Sequence, residues 1–448
     1  MPAFRSEKLE PYPTLPPELS DLVIDILCSS NIDLKACSQV CRAWRPRAQI
    51  HLFSTVVFAI PGSLFPNEIP PHVDTFMRRM DFIASVNLLP LVRSFTFDVR
   101  EAQLDPTSLA KITNTLLSSL PFENLRKLDV RWRDWSRFIY DDRTLLPALI
   151  RRNIHLETLI LQNQWISSLE ELETYLGFRS PNLRCLGLYE VGQTELSTAE
   201  VHTIISCLKT KVGYPQQGLC IPRLQELGVG SVNMQILGDI ILDPEVYDLR
   251  CLDRMAFPFG LRDVVLSKKM STGRRQLLHT QAERITSLSC ELRYFRSASV
   301  LDSSLPQVPL PNLSRLELLA VINIEVLLSA LDRIIPHAPN MEALHIGMYW
   351  QPRHRLFSLH DSPISAFLDP RLRSLLDGRR LCVSVSVDLA VNSDMVPLLS
   401  TEMLRTLFSQ TTQLPGVTFE ARKADQWWGK DLVYQAPSVY SVRYKYET

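Results

Sequence analysis

The sequence predicts an α/β fold in two unequal parts: a small helical block near the N-terminus, then a long, irregular solenoid of strand-plus-helix units. Three observations carry this. An apolar-x-x-apolar-x-apolar core recurs about every 30 residues. Helix-like stretches with apolar residues three or four apart lie between the cores. Residues 15–53 hold more large apolar groups than so short a segment can cover. The composition allows such a fold: 448 residues, 46% hydrophobic and 21% charged, is a globular balance.

Lys+Arg and Asp+Glu both number 48, so the chain lacks the positive field of a dedicated nucleic-acid binder, and no nucleic-acid partner is expected. Fifteen glycines against 30 prolines weigh against phosphate-cradling loops. Nine cysteines, an odd count without a CxxC, predict free thiols in a reducing compartment, mostly buried as small apolar residues. The N-terminus has no apolar signal region, and no run of about 18 apolar residues occurs. The expectation is a cytoplasmic or nuclear protein with no membrane partner.

In chain order, residues 1–14 are polar and proline-punctuated, a flexible N-terminus. Residues 15–58 form the helical block. Within it, Ser20 or Asp21 can cap a first short helix carrying Val23, Ile24 and Leu27, and Asn31 or Asp33 a second. Leu34, Cys37, Cys41 and Trp44, widened by Val40, form one apolar stripe on that second helix. Arg42, Arg45 and Arg47 fall at its C-terminal end, where cations complement the helix dipole. A third helix is expected over 48–53. Residues 59–72, with four prolines and a glycine, read as a connector.

The repeats occupy 73–380. Their cores start at Val92, Leu125, Leu156, Leu183, Leu224, Leu252, Ile285, Leu313 and Met341, with a weaker tenth copy at Leu372. The intervals run 33, 31, 27, 41, 28, 33, 28, 28 and 31 residues, and the longest implies an insertion near 209–220. Proline stands two residues before the first apolar position at Pro90, Pro181, Pro222, Pro311, Pro339 and Pro370. It cannot continue a helix and pushes the chain toward extended structure. Residues 107–120 and 322–335 are the clearest intervening helices. One strand and one helix per ~30 residues is the signature of a leucine-rich-repeat solenoid, a stack of units none of which can bury its apolar face alone. The asparagine that usually follows the last strand position is mostly missing, although Asn163 comes close. Residues 381–448 change character. Val383, Val385, Val387, Leu389 and Val391 alternate as a half-buried strand. Trp427, Trp428, Tyr434, Tyr440, Tyr444 and Tyr446 then form either an aromatic cap on the solenoid or a partner-binding patch.

The block at 15–53 resembles an F-box. The residues that carry the likeness are Leu15-Pro16-Pro17-Glu18-Leu19, Ile24, Leu27, Asp33-Leu34, Cys37, Val40-Cys41-Arg42 and Trp44-Arg45. Pro17 departs from the family's usual polar residue, and the stretch around Ile50–Phe53 is variable. Followed by leucine-rich repeats, the chain is similar to the F-box/leucine-rich-repeat class, most like its fungal members. The resemblance implies a substrate-recognition subunit of an SCF-type cullin–RING ubiquitin ligase, non-catalytic in itself. Its F-box would bind the Skp-type adaptor through Leu15, Pro16, Leu19, Ile24, Leu27, Leu34, Cys37, Val40, Cys41 and Trp44, and the repeats would hold a substrate protein. The competing readings are a plain N-terminal cap on the solenoid, a scaffold acting outside any ligase, and an enzyme with a site in 353–448.

No phosphate-binding loop, H-E-x-x-H or G-x-S-x-G occurs, so no cofactor, metal or catalytic residue is expected. His337, His345, His354 and His360 read as surface or loop histidines, and Cys37 with Cys41 as packing residues. Two basic groups, Arg353–Arg380 and Lys268–Arg275, are either solvated or dock an acidic or phosphorylated substrate. On the strands, Thr96, Asp129, Ile160, Gly187, Gly228, Ala256, Ser289, Glu317 and His345 point away from the core and share no chemical theme. The loops after the strands offer Arg131, Trp132, Trp135, Trp165, Tyr189, Tyr349 and Trp350 as substrate contacts, since Trp and Tyr are enriched in binding hot spots.

Overall fold

A computed structural model describes residues 16–60, 67–99, 106–131, 145–162, 169–189, 221–230, 247–257, 276–292, 307–321, 323–350, 364–389 and 405–423, with a few single residues between them. Leu15 of the adaptor set lies outside them. So do Trp132, Trp135, Trp165, Asn163, His354, His360, the basic group 268–275, nearly all of 209–220 and the aromatic segment 427–446.

The block begins with α1 (Pro17–Ile26), whose first residue is the proline. There its fixed φ suits the helix and its missing N–H leaves nothing unsatisfied. The expected caps, Ser20 and Asp21, therefore lie inside the helix. In α2 (Asn31–Val40) the cap is Ser30, whose hydroxyl accepts the Asp33 N–H at 3.3 Å, rather than Asn31 or Asp33. Cys41 is fully extended and ends the helix, so the expected stripe through Cys41 and Trp44 is broken. Trp44 instead leads into α3 (Arg45–Ser54). Arg45 and Arg47 thus sit at a helix N-terminus, where the dipole opposes them. Asp25 answers one of them: its carboxylate accepts Arg47 Nε at 2.7 Å and Nη2 at 2.6 Å, and contacts His51 Nε2 at 2.7 Å. The three helices enclose a small core of their own, Ile24, Leu34, Cys37 and Ala48, with Leu27, Trp44 and Leu52 against it.

The rest is one twelve-stranded sheet whose strands follow chain order, every neighbouring pair parallel. The strands are β1 (Thr55–Ala59), β2 (Ser94–Asp98), β3 (Lys127–Arg131), β4 (Thr158–Gln162), β5 (Cys185–Tyr189), β6 (Glu226–Gly230), β7 (Arg254–Phe257), β8 (Ser287–Glu291), β9 (Arg315–Val321), β10 (Ala343–Trp350), β11 (Leu381–Leu389) and β12 (Val417–Lys423). Helices cross between them: α4 (Ile69–Ser85), α5 (Pro106–Ser119), α6 (Leu145–Arg152), α7 (Leu169–Tyr175), α8 (Ile324–Ile334) and α9 (Asp369–Leu376). This is a solenoid-like α/β arrangement. The two inward positions of each repeat core join the leading apolar residue and the helix faces in one continuous cluster running from Val56 to Leu414. Parallel strands with a crossover between each pair bury their apolar side under those crossovers.

The links between units explain their register. At the foot of most strands one carbonyl accepts two successive N–H groups from the next unit: Arg93 from Arg126 and Lys127, Arg126 from Glu157 and Thr158, Thr286 from Ser314 and Arg315. Side chains add a second tie. In the Pro-Asn-Leu and Pro-Asn-Met motifs, Asn312 donates to the Glu283 carbonyl at 2.5 Å and Asn340 to the Pro311 carbonyl at 2.7 Å. Asn153 is wholly buried, donating to Phe122 and Leu149 and accepting the Leu125 N–H at 2.9 Å. Asn153, Asn312 and Asn340 tie unit to unit from before the strands.

The expected boundaries shift. The sheet starts at Thr55, inside the block assigned to 15–58, and α4 takes up the end of the expected connector at Ile69. The tenth core at Leu372 is helix α9: Leu372 and Leu376 share a helical face, and Pro370 lies in the helix's first turn rather than before a strand. The strand begins nine residues later as β11, which continues the same sheet and is followed by β12, so the sheet does not stop at 380. β5 and β6 are direct neighbours, so the 41-residue interval adds chain but no strand between them. Among the described residues no helix is long and apolar enough to cross a membrane.

Candidate functional site

Two surfaces could act on other molecules. The first is the outer side of the helical block. On α1, Leu19, Leu22, Val23 and Ile26 are 48%, 54%, 37% and 70% exposed, at spacings of three and four residues. They form an apolar stripe turned away from the block's own core. Ile32 and Val40 of α2 are exposed as well. A helix of this length normally turns such a stripe inward, and an uncovered one marks an interaction face. Asp25 ties α1 to α3 beneath it, and the Arg47 hydrogen bonds, then that of His51, hold its carboxyl well below the usual carboxylate range.

The adaptor-facing set divides. Pro16, Leu19, Val40 and Cys41 are exposed, and Leu27 and Trp44 half-buried. Ile24, Leu34 and Cys37 face inward and form the block's core, so they hold the surface up rather than touch a partner. The adaptor set expected from the sequence does not include Leu22, Val23, Ile26 and Ile32, which the structure exposes. The signal was there in their helical spacing, but which stripe of a small helix faces the core cannot be read from periodicity alone.

The second surface is the face of the sheet opposite the helices. Thr96, Asp129, Ile160, Gly187, Gly228, Ala256, Ser289, Glu317 and His345 do lie in one register row across it. Among the described residues it is open at the β1–β2 end, and Arg315 of β9 and Thr418 of β12 are exposed on it as well. From β3 to β11 its middle row is covered: Asp129, Ile160, Ala256, Ser289, Glu317, His345 and Ser384 are all buried. A second apolar cluster, Ile160, Cys185, Tyr189, Ala256 and Leu319, lies within it.

Buried Arg131 and Asp129 on this face are paired, and burial favours the neutral form of Glu317. Arg131 Nε and Nη2 each reach Asp129 at 2.7 Å, both residues buried. Burial opposes the Arg131 charge, but Asp129, with Asp98 behind it, outweighs burial and raises its pKa. Burial pushes the Tyr189 hydroxyl up against the opposing charge of Arg131. Burial likewise raises the Cys185 thiol, helped by the Glu226 carboxylate. The Glu317 carboxyl is pushed up to about 7 by burial, against a Ser289 hydrogen bond and the Arg315 charge. His345 Nδ1 meets Ser384 Oγ at 2.7 Å.

The substrate candidates are correspondingly re-placed. Arg131 and Tyr189 are not in loops; they are the buried last residues of β3 and β5. Tyr349 and Trp350 end β10 rather than follow it. His345 is a buried strand residue, not a surface one. In the basic group, Arg371 pairs with Asp332 at 2.7 Å and Arg379 donates to the Ala338 and Ile335 carbonyls at 2.7 and 2.9 Å, so both brace adjacent units. Of the eight cysteines described, all are free, but only Cys37, Cys185 and Cys290 are buried, fewer than expected, and Cys41 is exposed beyond its helix. No group of three or more potential metal ligands exists among the described residues. No family model matches the chain, and no curated protein matches it either.

Proposed function

We propose that the chain is a non-catalytic recognition subunit: residues 16–54 act as an F-box that docks a Skp-type adaptor of a cullin–RING ubiquitin ligase, and the leucine-rich-repeat solenoid positions a substrate protein. The observation that carries this is the uncovered apolar stripe of α1, on a block that already satisfies a separate core. A cap would spend that stripe on the solenoid, whereas a docking module keeps it outward. Chemistry would then come from proximity: a tethered substrate lysine meets a charged ubiquitin-conjugating enzyme at high effective concentration.

The test is co-purification of the full chain with a purified Skp-type adaptor, beside a Leu22→Glu/Ile26→Glu variant. A stable complex with wild type that the variant loses supports the reading. A well-folded wild type that forms no complex makes the block a cap and removes the ligase assignment.

A further inference from the structure

β1 is an edge strand. Its one neighbour is β2, and alternate residues face it: the Ser54 carbonyl accepts the Arg93 N–H at 2.8 Å, and the Ile60 N–H donates to Asp98 at 3.0 Å. The intervening residues therefore turn their backbone groups outward. The Ala59 carbonyl is taken by His72 Nε2 at 2.8 Å. The Thr55 carbonyl and both backbone groups of Val57 have no partner among the described residues. Edges of this kind are ordinarily covered or charged.

A cleft of about 470 Å³ runs over this edge. Thr55 and Val57 of β1, Arg79 of α4, and Cys28, His51, Leu52 and Ser54 of the helical block line it. Val57 is 52% exposed, so an apolar side chain stands open in a cleft whose other lining residues are largely polar. Arg79 is exposed and has no hydrogen-bond or ion-pair partner among the described residues. No carboxylate lines the cleft among them, and the nearby Asp25 is already held by Arg47 and His51. Phe82 and Val86, both exposed, continue the stripe of α4 that carries Arg79.

The geometry points to a peptide-binding site here: an extended segment of a partner protein adds as a strand along Thr55–Val57, with apolar side chains over Val57 and Leu52 and an acidic side chain toward Arg79. Open main-chain groups select extended backbone, the pocket selects alternate side chains, and the Arg79 guanidinium selects the charge. This site is separate from the outer stripe of α1 and stands whether or not that stripe meets an adaptor.

The experiment is fluorescence anisotropy on the full chain with two fluorescein-labelled probes, Val-Glu-Val-Glu-Val and Val-Lys-Val-Lys-Val. The acidic probe should bind about tenfold tighter than the lysine probe, and Arg79→Glu should reverse that order. Val57→Pro should abolish binding. Its missing N–H takes nothing from β2, so far-UV circular dichroism and the melting temperature should stay at wild-type values. Equal affinity for the two probes, binding of neither, or binding unchanged in Val57→Pro would each overturn the assignment. Should Val57→Pro lower the melting temperature, the charge reversal by Arg79→Glu decides alone.

Discussion

Replacing Leu22 and Ile26 together by glutamate separates a docking face from a structural one. The two side chains are 54% and 70% exposed, so together they leave little more than one full side chain to bury. At about 1.5–3 kcal/mol per buried aliphatic side chain, covering them contributes roughly 2–3 kcal/mol to a complex. Two carboxylates pressed against an apolar partner add about 1–3 kcal/mol of uncompensated desolvation. Adaptor affinity should therefore fall by roughly 3–6 kcal/mol, on the order of a hundred- to ten-thousandfold. The free chain should hardly notice, because surface changes away from special features stay within about ±0.5 kcal/mol. Ile24→Ala is the contrast. Ile24 is fully buried in a core of four residues, and losing it should cost about 2–4 kcal/mol of block stability. The assay is calorimetric titration with purified adaptor beside thermal melts of all three proteins. If the double variant melts as low as Ile24→Ala, the stripe is packed and the argument fails. If it binds adaptor like wild type, the stripe is not the docking face.

Three further outcomes follow from the solenoid. Glu317 holds its proton to about pH 7 in the folded chain, against 4.5 for an unburied glutamate. The unfolded chain thus loses that proton first, so the Glu317 contribution to stability is full below about pH 4.5 and lost as pH rises through about 7, a loss of about 3 kcal/mol; denaturant titrations at pH 5 and 8 should converge in Glu317→Gln. Asn153→Ala strands the Leu125 N–H and the Phe122 carbonyl in the core, and should cost about 2–4 kcal/mol, read as a lower denaturation midpoint with an unchanged slope. Gly416→Ala forces a Cβ at φ 86° to within 3.1 Å of the Arg379 carbonyl, and should cost about 1–2 kcal/mol, with faster amide exchange in β12.

The strands were legible because each asks for the same three apolar positions, and nine of the ten cores read from that pattern are β2 to β10. Where the pattern fails, a particular residue is responsible. In register, the leading position of β11 is Arg380 and that of β12 is Gly416, so neither carries the repeat pattern; β11 was legible instead from the alternation of Val383, Val385, Val387 and Leu389, β12 was not, and Leu372 on a helix offered a false match. β1 does carry the pattern, as Phe53, Val56 and Phe58, but a helix runs straight into it and hid it inside the block. The helical periodicities of α5 and α8 were equally plain. Burial was not. Glu317, His345 and Arg131 are residue types that usually meet water, and nothing local in the sequence says that the second face of the sheet is closed. The same gap applies to α1, where two apolar stripes share one short helix and only tertiary structure tells which is inside.

A sheet of this kind has two faces and two edges with which to recognise anything. One face is covered by helices, and the other is buried at its middle row, while at the β1 end the block, the cleft and an open edge meet. That places weight on how firmly α1 is held. Asp25 is the joint: it is half-exposed, lies off the apolar stripe, and links α1 to Arg47 and His51 of α3. Asp25→Asn keeps the shape but loses the charge that makes the Arg47 pairing bidentate and strong. The stripe itself is untouched, so any loss of adaptor binding would have to come from a loosened α1. The expected result is a several-fold weaker complex together with faster amide exchange along α1, and little change in exchange from the solenoid strands. Wild-type affinity combined with faster exchange would mean that the adaptor face tolerates a mobile helix. Unchanged exchange would mean that the small core alone fixes α1 and that Asp25 is dispensable.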